Sequence, residues 1–323
     1  LLKAMDFQIL ISNITNPTLL FFVLGIIAAN VKSDLEIPPS SSKFISLYLL
    51  FAIGFKGGQE LASTPFNSEI FYSIVFGIAV AALIPFYTFF ILKQRMSVSN
   101  AGAVAATYGS VSAVTFVAAA TFLEGQGLDF GGHMVAIMAL MESPAIIIGV
   151  ILMMRFDAEA RNTGNIKDTI KHSFTNGSVL LILGSLVIGL IADTKQAEGI
   201  KPFTTDIFKG FLAIFLLEMG MVTARRFAAF KQYGLFLSAF SIIIPAINGC
   251  FVAWASSLVT DDIGNRFILA VLAASASYIA VPAAMRIAAP KADPGLYIPM
   301  ALGLTFPFNI TIGMPIYYAL AQS

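Results

Sequence analysis

Residues 102–121 read GAVAATYGSVSAVTFVAAAT. They are apolar enough, and long enough, to approach the ~20 residues with which a helix crosses a bilayer. Their middle does not suit a helix that faces lipid: Tyr108-Gly109-Ser110-Val111-Ser112 places a glycine and two hydroxyls there. Residues 270–289, AVLAASASYIAVPAAMRIAA, have the same character, with Ser275, Ser277 and then Pro282. The two clusters stand 165 positions apart, about half the chain. Interrupted membrane segments at matching places in two halves point to the central binding site of a transporter.

The rest of the chain agrees with a membrane setting. Hydrophobic residues make up 58% and charged residues 11%, against roughly 25% charged in a soluble protein; the mean hydropathy is +0.85. The expected class is an all-α polytopic membrane protein. The net charge of +1 says nothing of partners, and Cys250, the one cysteine, excludes an intrachain disulfide. His133 and His172 are too few for a histidine metal centre and read as ordinary polar residues near loops. The first apolar run lacks the small-residue pattern of a cleaved signal peptide. No phosphate loop, dinucleotide fingerprint, nucleophile triad or metal motif occurs, so the reading is not an enzyme, binds no nucleic acid and carries no cofactor besides a coupling ion.

Ten spans are expected, near residues 16–30 (with an extension over 7–14), 43–56, 69–92, 99–123, 132–154, 174–192, 206–221, 233–258, 264–288 and 296–320. Residues 33–42, with Pro38-Pro39, read as a loop, and Pro85 as a kink. The chain divides into a first repeat (1–155), a polar cytoplasmic linker (156–172) and a second repeat (173–323). Gly54 matches Gly220, Pro85 matches Pro245, Asn100 matches Asn265, and Ser110 and Ser112 match Ser275 and Ser277. An odd number of spans per half makes this a five-plus-five inverted repeat with two interrupted helices. With the N-terminus outside, 13 of the 19 Lys and Arg residues fall on the inner side, as the positive-inside rule asks.

A helix broken in mid-membrane survives only where protein or water covers its free backbone groups. The resumed half-helices offer N–H donors and a partial positive field to an anion. Candidate substrate residues are Gly109, Ser110, Ser112, Ala113 and Thr115 in the first half, and Ser275, Ser277, Tyr278 and Ala280 in the second. The opposing ends expose carbonyls that suit sodium; Thr107, Thr305 and Asn309 are candidates. Glu142, in Met141-Glu142-Ser143-Pro144, is a carboxylate inside the membrane, for which function is the default reading. It fits sodium binding, proton carriage, or the anchoring of a helix break that Pro144 leads one to expect. Glu218 stands near the end of its span and fits a water-facing role as well as a functional one. The plain alternatives are that the hydroxyls bond their own backbones and that Gly54, Gly109 and Gly220 are close-packing positions.

At these residues the chain resembles the sodium-dependent bicarbonate transporter family of cyanobacterial type. The likeness spans nearly the whole chain. It is carried by FAIGFKGG from Phe51, YGSVSAVTFVAAATFLEGQG from Tyr108, MESPA from Met141, EMGM from Glu218 and AASASYIAVPAAMRIAAPKADPGLYIP from Ala273. The resemblance implies a core transport domain and a gate or scaffold domain built from intertwined repeats. It also implies a homotrimer in the bacterial inner membrane, sodium-coupled uptake of bicarbonate, and an anion held between the two broken helices. Ala113 and Val114 replace a glycine and a serine of the family pattern, and Tyr278 replaces an aspartate. The pocket is thus less polar than the family's, which also fits another small anion such as a monocarboxylate. An organic-anion symporter and an anion channel or sensor remain as rivals. The short linker argues against a cytoplasmic regulator acting there.

Overall fold

The computed structural model describes residues 16–157, 171, 175, 177–230 and 234–323. The extension over residues 7–14, nearly all of the linker with His172, and the start of the sixth span lie outside these. No strand occurs among the described residues. The principal helices are α1 (Pro17–Asn30), α2 (Pro39–Ala62), α3 (Ser68–Leu92), α4 (Val98–Gly109), α5 (Ala113–Gly125), α6 (His133–Phe156), α7 (Gly177–Ile191), a short α8 (Thr194–Glu198), α9 (Phe208–Phe230), α10 (Gly234–Ala255), α11 (Ile263–Ala274), α12 (Ala280–Ala288) and α13 (Pro294–Ala321). Counting α4 and α5 as one interrupted run, six stretches among the described residues are long and apolar enough to cross a membrane; α1, α7 and α11 are apolar but shorter.

The starts follow local chemistry. Asn16, Asn67, Ser97, Asp193, Asp262 and Asp293 each accept a backbone N–H of the helix they precede, filling donors that a helix leaves open at that end. Three expectations are corrected. Helix α2 begins at Pro39 instead of near 43, because proline suits a first turn whose N–H has no helical partner. It also runs on through Gly54, Gly57 and Gly58. Helix α6 is continuous through Pro144; one missing N–H does not break a helix held on its flanks by α3 and α4. Helix α9 extends to Phe230, so Glu218 lies near its middle. In α13 the chain widens into π-helical turns at Ala301–Thr305 and Asn309–Gly313.

Packing is pairwise. Helix α1 lies against α9, α2 against α7, α3 and α4 against α6, and α10 against α11. The first two pairs meet backbone to backbone. A Cβ on Gly25 would overlap the Leu217 carbonyl, and one on Gly220 the Phe22 carbonyl. In the other pair, a Cβ on Gly58 would overlap the Leu186 carbonyl and one on Gly189 the Phe55 carbonyl. Gly54 also sits in this seam, where a Cβ would stand 2.7 Å from the Ile182 carbonyl oxygen. Gly54 and Gly220 are therefore close-packing positions, as small residues between membrane helices commonly are.

Candidate functional site: two helix breaks on one cavity

Helix α4 stops at Gly109, and the chain runs extended through Ser110 to Ser112 before α5 begins. Helix α11 stops at Ala274, and α12 begins at Ala280. Hydrogen bonds tie the two breaks to each other. Ser277 donates its N–H to the Thr107 carbonyl at 2.9 Å. Ser112 donates its N–H to Ser275 Oγ at 3.0 Å, and Ser275 Oγ donates onward to the Leu272 carbonyl at 2.8 Å. Ser112 and Ser277 are matched positions, and so, at the same offset, are Thr107 and Leu272. One serine N–H thus reaches its matched carbonyl directly, the other through a hydroxyl. Ser110, the counterpart of Ser275, is left with a sealed Oγ that has no partner among the described residues.

The carbonyl ends are closed by α13 as well. Asn309 donates its side-chain amide to the Ala274 carbonyl at 2.7 Å and accepts the Tyr317 hydroxyl at 3.1 Å. Pro245 has no N–H for the Ser241 carbonyl four residues back. Thr305 Oγ1 fills that vacancy at 2.7 Å and accepts the Tyr108 hydroxyl at 2.8 Å. Thr305 and Asn309 therefore fasten the breaks, whereas Thr107 Oγ1 is sealed and without a partner among the described residues. Gly109 leaves room for the Pro85 ring, which a Cβ there would overlap.

Between the breaks and helices α2, α6 and α7 lies a cavity of about 40 Å³. At about 10–15 Å³ per water position, it has room for a few waters or one small anion. Of the sequence candidates, Ser112, Ala113, Ser277, Tyr278 and Glu142 line it. Gly109, Ser110, Thr115, Ser275, Ala280, Thr107, Thr305 and Asn309 lie off its wall. Thr115 gives its N–H to Ser112 Oγ at 3.2 Å, so Ser112 caps α5. The N–H groups of Ala113 and Val114 at the start of α5, and those of Tyr278, Ile279 and Ala280 at the start of α12, have no partner among the described residues. Ser277 Oγ accepts only a long bond, 3.4 Å, from the Val281 N–H. Glu142 is the charged residue on the wall, and no cationic side chain or hydrogen-bond donor among the described residues is bonded to it.

Sequence reasoning missed Ser46 and Ser178, which add hydroxyls to the wall from α2 and α7. Each stands at the polar edge of its run, in SSSKFIS and SFTNGS, where a serine draws no notice, and only the fold brings it to the breaks. It also missed what the matched asparagines do. Asn100 Oδ1 accepts the Asp293 N–H ahead of α13, and Asn265 Oδ1 accepts the Gly131 N–H ahead of α6, both at 2.8 Å. Each broken helix is thereby fastened at its start to the loop before the last helix of the other half.

A family model described as the Na+-dependent bicarbonate transporter superfamily matches residues 17–322, nearly the whole chain. No match is found among curated proteins.

Proposed function

The chain belongs to the Na+-dependent bicarbonate transporter superfamily, a family of membrane transporters and not of enzymes, and from that premise we propose that it is a symporter carrying a small anion, bicarbonate first, together with sodium by alternating access. The observation that carries this reading is the joint lining of one small cavity by the residues at the starts of both resumed helices, by Ser277 and by Glu142. Donors and positive helix ends suit an anion. A carboxylate on the same wall repels an anion in a low-dielectric site unless a cation sits with it. Sodium beside Glu142 resolves the conflict and makes anion and cation binding interdependent, which is the physical basis of symport. The small volume supports a small anion over a bile-acid-sized substrate. The apolar share of the wall, from Leu49, Val111, Val114 and Ile279, favours a small monocarboxylate as the second reading.

The architecture in this reading is ten spans in a five-plus-five inverted repeat. The crosswise pairing of Asn100 and Asn265 supports it. So does the helix pairing: α1 with α9 corresponds to α7 with α2 when the halves are exchanged. In this reading the breaks ride on a core domain, α1, α2, α7 and α9 belong to the gate, the N-terminus faces outward, and the protein is a homotrimer in the bacterial inner membrane.

The test is uptake into proteoliposomes with and without a sodium gradient. Bicarbonate uptake is expected to fall at least about tenfold without sodium, to be competed by formate and acetate, and to be indifferent to taurocholate. Uptake that is the same in sodium-free buffer would sink the coupling. Ser277→Ala is expected to raise the KM for the anion about fivefold to tenfold, the worth of one hydrogen bond of ~1 kcal/mol or slightly more, with little change in Tm because the hydroxyl makes only the long bond to Val281. An unchanged KM would move the anion away from the second break.

A further inference from the structure

The two breaks are built alike but bonded differently. Helices α4 and α11 have 12 residues each, and the residues that cap and end them, Ser97 and Gly109 in one and Asp262 and Ala274 in the other, stand at the same offset as the serines. Ser110 and Ser275, next along each break, share one backbone conformation, with φ −84° and ψ 173° at the first and φ −80° and ψ 169° at the second. Their hydroxyls nevertheless differ. Ser275 Oγ carries the Ser112 N–H to the Leu272 carbonyl, whereas Ser110 Oγ is buried and has no partner among the described residues. The cause lies across the seam: the Ser277 N–H reaches the Thr107 carbonyl directly, which leaves Ser110 nothing to bridge. The next pair of hydroxyls is divided in the same sense. Ser112 Oγ caps α5 at the Thr115 N–H, while Ser277 Oγ has the long bond from Val281 and none from Ala280, the counterpart of Thr115. Buried polar groups are normally bonded, and the matched half shows which bond Ser110 lacks.

Resting on the symport reading above, we propose that this arrangement is one of two equivalent ones visited in the cycle, and that Ser110 is a positioning residue for the other. In the other arrangement the breaks slide past each other until the Ser112 N–H meets the Leu272 carbonyl directly and Ser110 Oγ carries the Ser277 N–H to the Thr107 carbonyl. Each arrangement then has the same three bonds with the halves exchanged, and each leaves one serine hydroxyl over, Ser110 here and Ser275 there. Equal bonding keeps the two close in energy, as a cycle that populates both requires. The slide also exchanges the hydroxyls that face the anion: Ser277 Oγ turns to the Ala280 N–H, and Ser112 Oγ is released from α5. Ser112 and Ser277 both line the cavity, so the anion passes from the Ser277 hydroxyl to that of Ser112 without leaving it. Ser110 lies off the wall and acts only through the backbone that it holds.

The experiment compares sodium-driven bicarbonate uptake by the parent, Ser110→Ala, Ser275→Ala and the double variant in proteoliposomes, with Tm measured for each in detergent. Ser110→Ala is expected to lower Vmax about tenfold, the loss of a bridging hydrogen bond from one arrangement, with KM within about twofold of the parent because the hydroxyl does not face the anion. It is expected to melt at or above the parental temperature, since the hydroxyl bonds nothing in the arrangement described. Ser275→Ala is expected to lower Vmax by a similar factor but to melt about 3 °C or more below the parent, because it strips the Ser112 N–H and the Leu272 carbonyl of their bridge. The double variant raises both arrangements alike, so its Vmax is expected to recover to within about threefold of the parent. Parental Vmax in Ser110→Ala, a Tm that falls together with its Vmax, or losses that multiply in the double variant would overturn the proposal while leaving the symport reading intact. If the double variant fails to fold, Vmax against Tm in Ser110→Ala decides alone. A parent without sodium-dependent uptake of any small anion would overturn the symport reading, and this proposal with it.

Discussion

Glu142→Gln is expected to cut sodium-driven uptake about a hundredfold while leaving the protein as stable as the parent or more so. The two halves of this expectation have separate causes. Interactions of an ionised group in a buried site are worth about 1.5–3 kcal/mol, and ~2.8 kcal/mol is a factor of a hundred. Glutamine keeps the shape and one acceptor oxygen but loses the charge that, in the symport reading, holds a cation beside an anion. Stability moves the other way. A carboxylate on an apolar wall, with no donor bonded to it among the described residues, is desolvated without compensation; its neutral isostere removes that cost. Glu142→Asp keeps the charge but withdraws it by one methylene, and it is expected to fall between parent and glutamine. Uptake and its sodium dependence are read in proteoliposomes, and Tm in detergent. Glutamine-substituted protein that transports at near-parental rate with unchanged sodium dependence would remove Glu142 from the coupling. A loss of both uptake and Tm would show instead that the carboxylate supports the fold.

The breaks were legible because each disturbs its own surroundings. Hydroxyls inside an apolar run, repeated half a chain away, show without any tertiary information, and both interruptions fall where those residues stand. What was not legible depends on partners far along the chain. Thr305 and Asn309 looked like ion ligands because hydroxyls and amides are rare in membrane helices. Nothing near Thr305 in sequence tells that Pro245 leaves the Ser241 carbonyl open 64 positions away. Gly109 looked like an approach to substrate because the other partner in its contact, the Pro85 ring, lies on α3. Pro144 pointed to a break because local propensity penalises proline within a helix, and packing on both sides of α6 overrode that penalty. The two roles of Ser112 and Ser277 were not separable in sequence: their backbone N–H groups bind the breaks together, while the Ser277 hydroxyl accepts one long bond from Val281.

Gly220→Val is expected to abolish recovery of folded protein or to lower Tm by more than about 10 °C. Overpacking ordinarily costs about 1–3 kcal/mol because side chains can yield. At Gly220 the obstacle is the carbonyl of Phe22 and the amide of Ile26, so α1 and α9 must part along their length. A loss of ~3 kcal/mol or more corresponds to a fall in Tm of about 10 °C in a chain of this order of size. Gly58→Val is expected to do the same to α2 and α7, since its obstacle is the Leu186 carbonyl. Gly210→Ala and Gly184→Ala are the controls, with no atom within 4 Å of the added Cβ, and a glycine-to-alanine change within a helix is mildly favourable. The pattern across the four variants bears on mechanism as well as on stability. In the alternating-access reading α1, α2, α7 and α9 form the part that stays fixed while the breaks move past it. A seam in which backbone touches backbone suits such a part, because a sliding surface needs side chains that can disengage. Gly220→Val protein that folds and melts like the parent but no longer transports would contradict this, and would place the motion between α1 and α9 instead of between the breaks and α2.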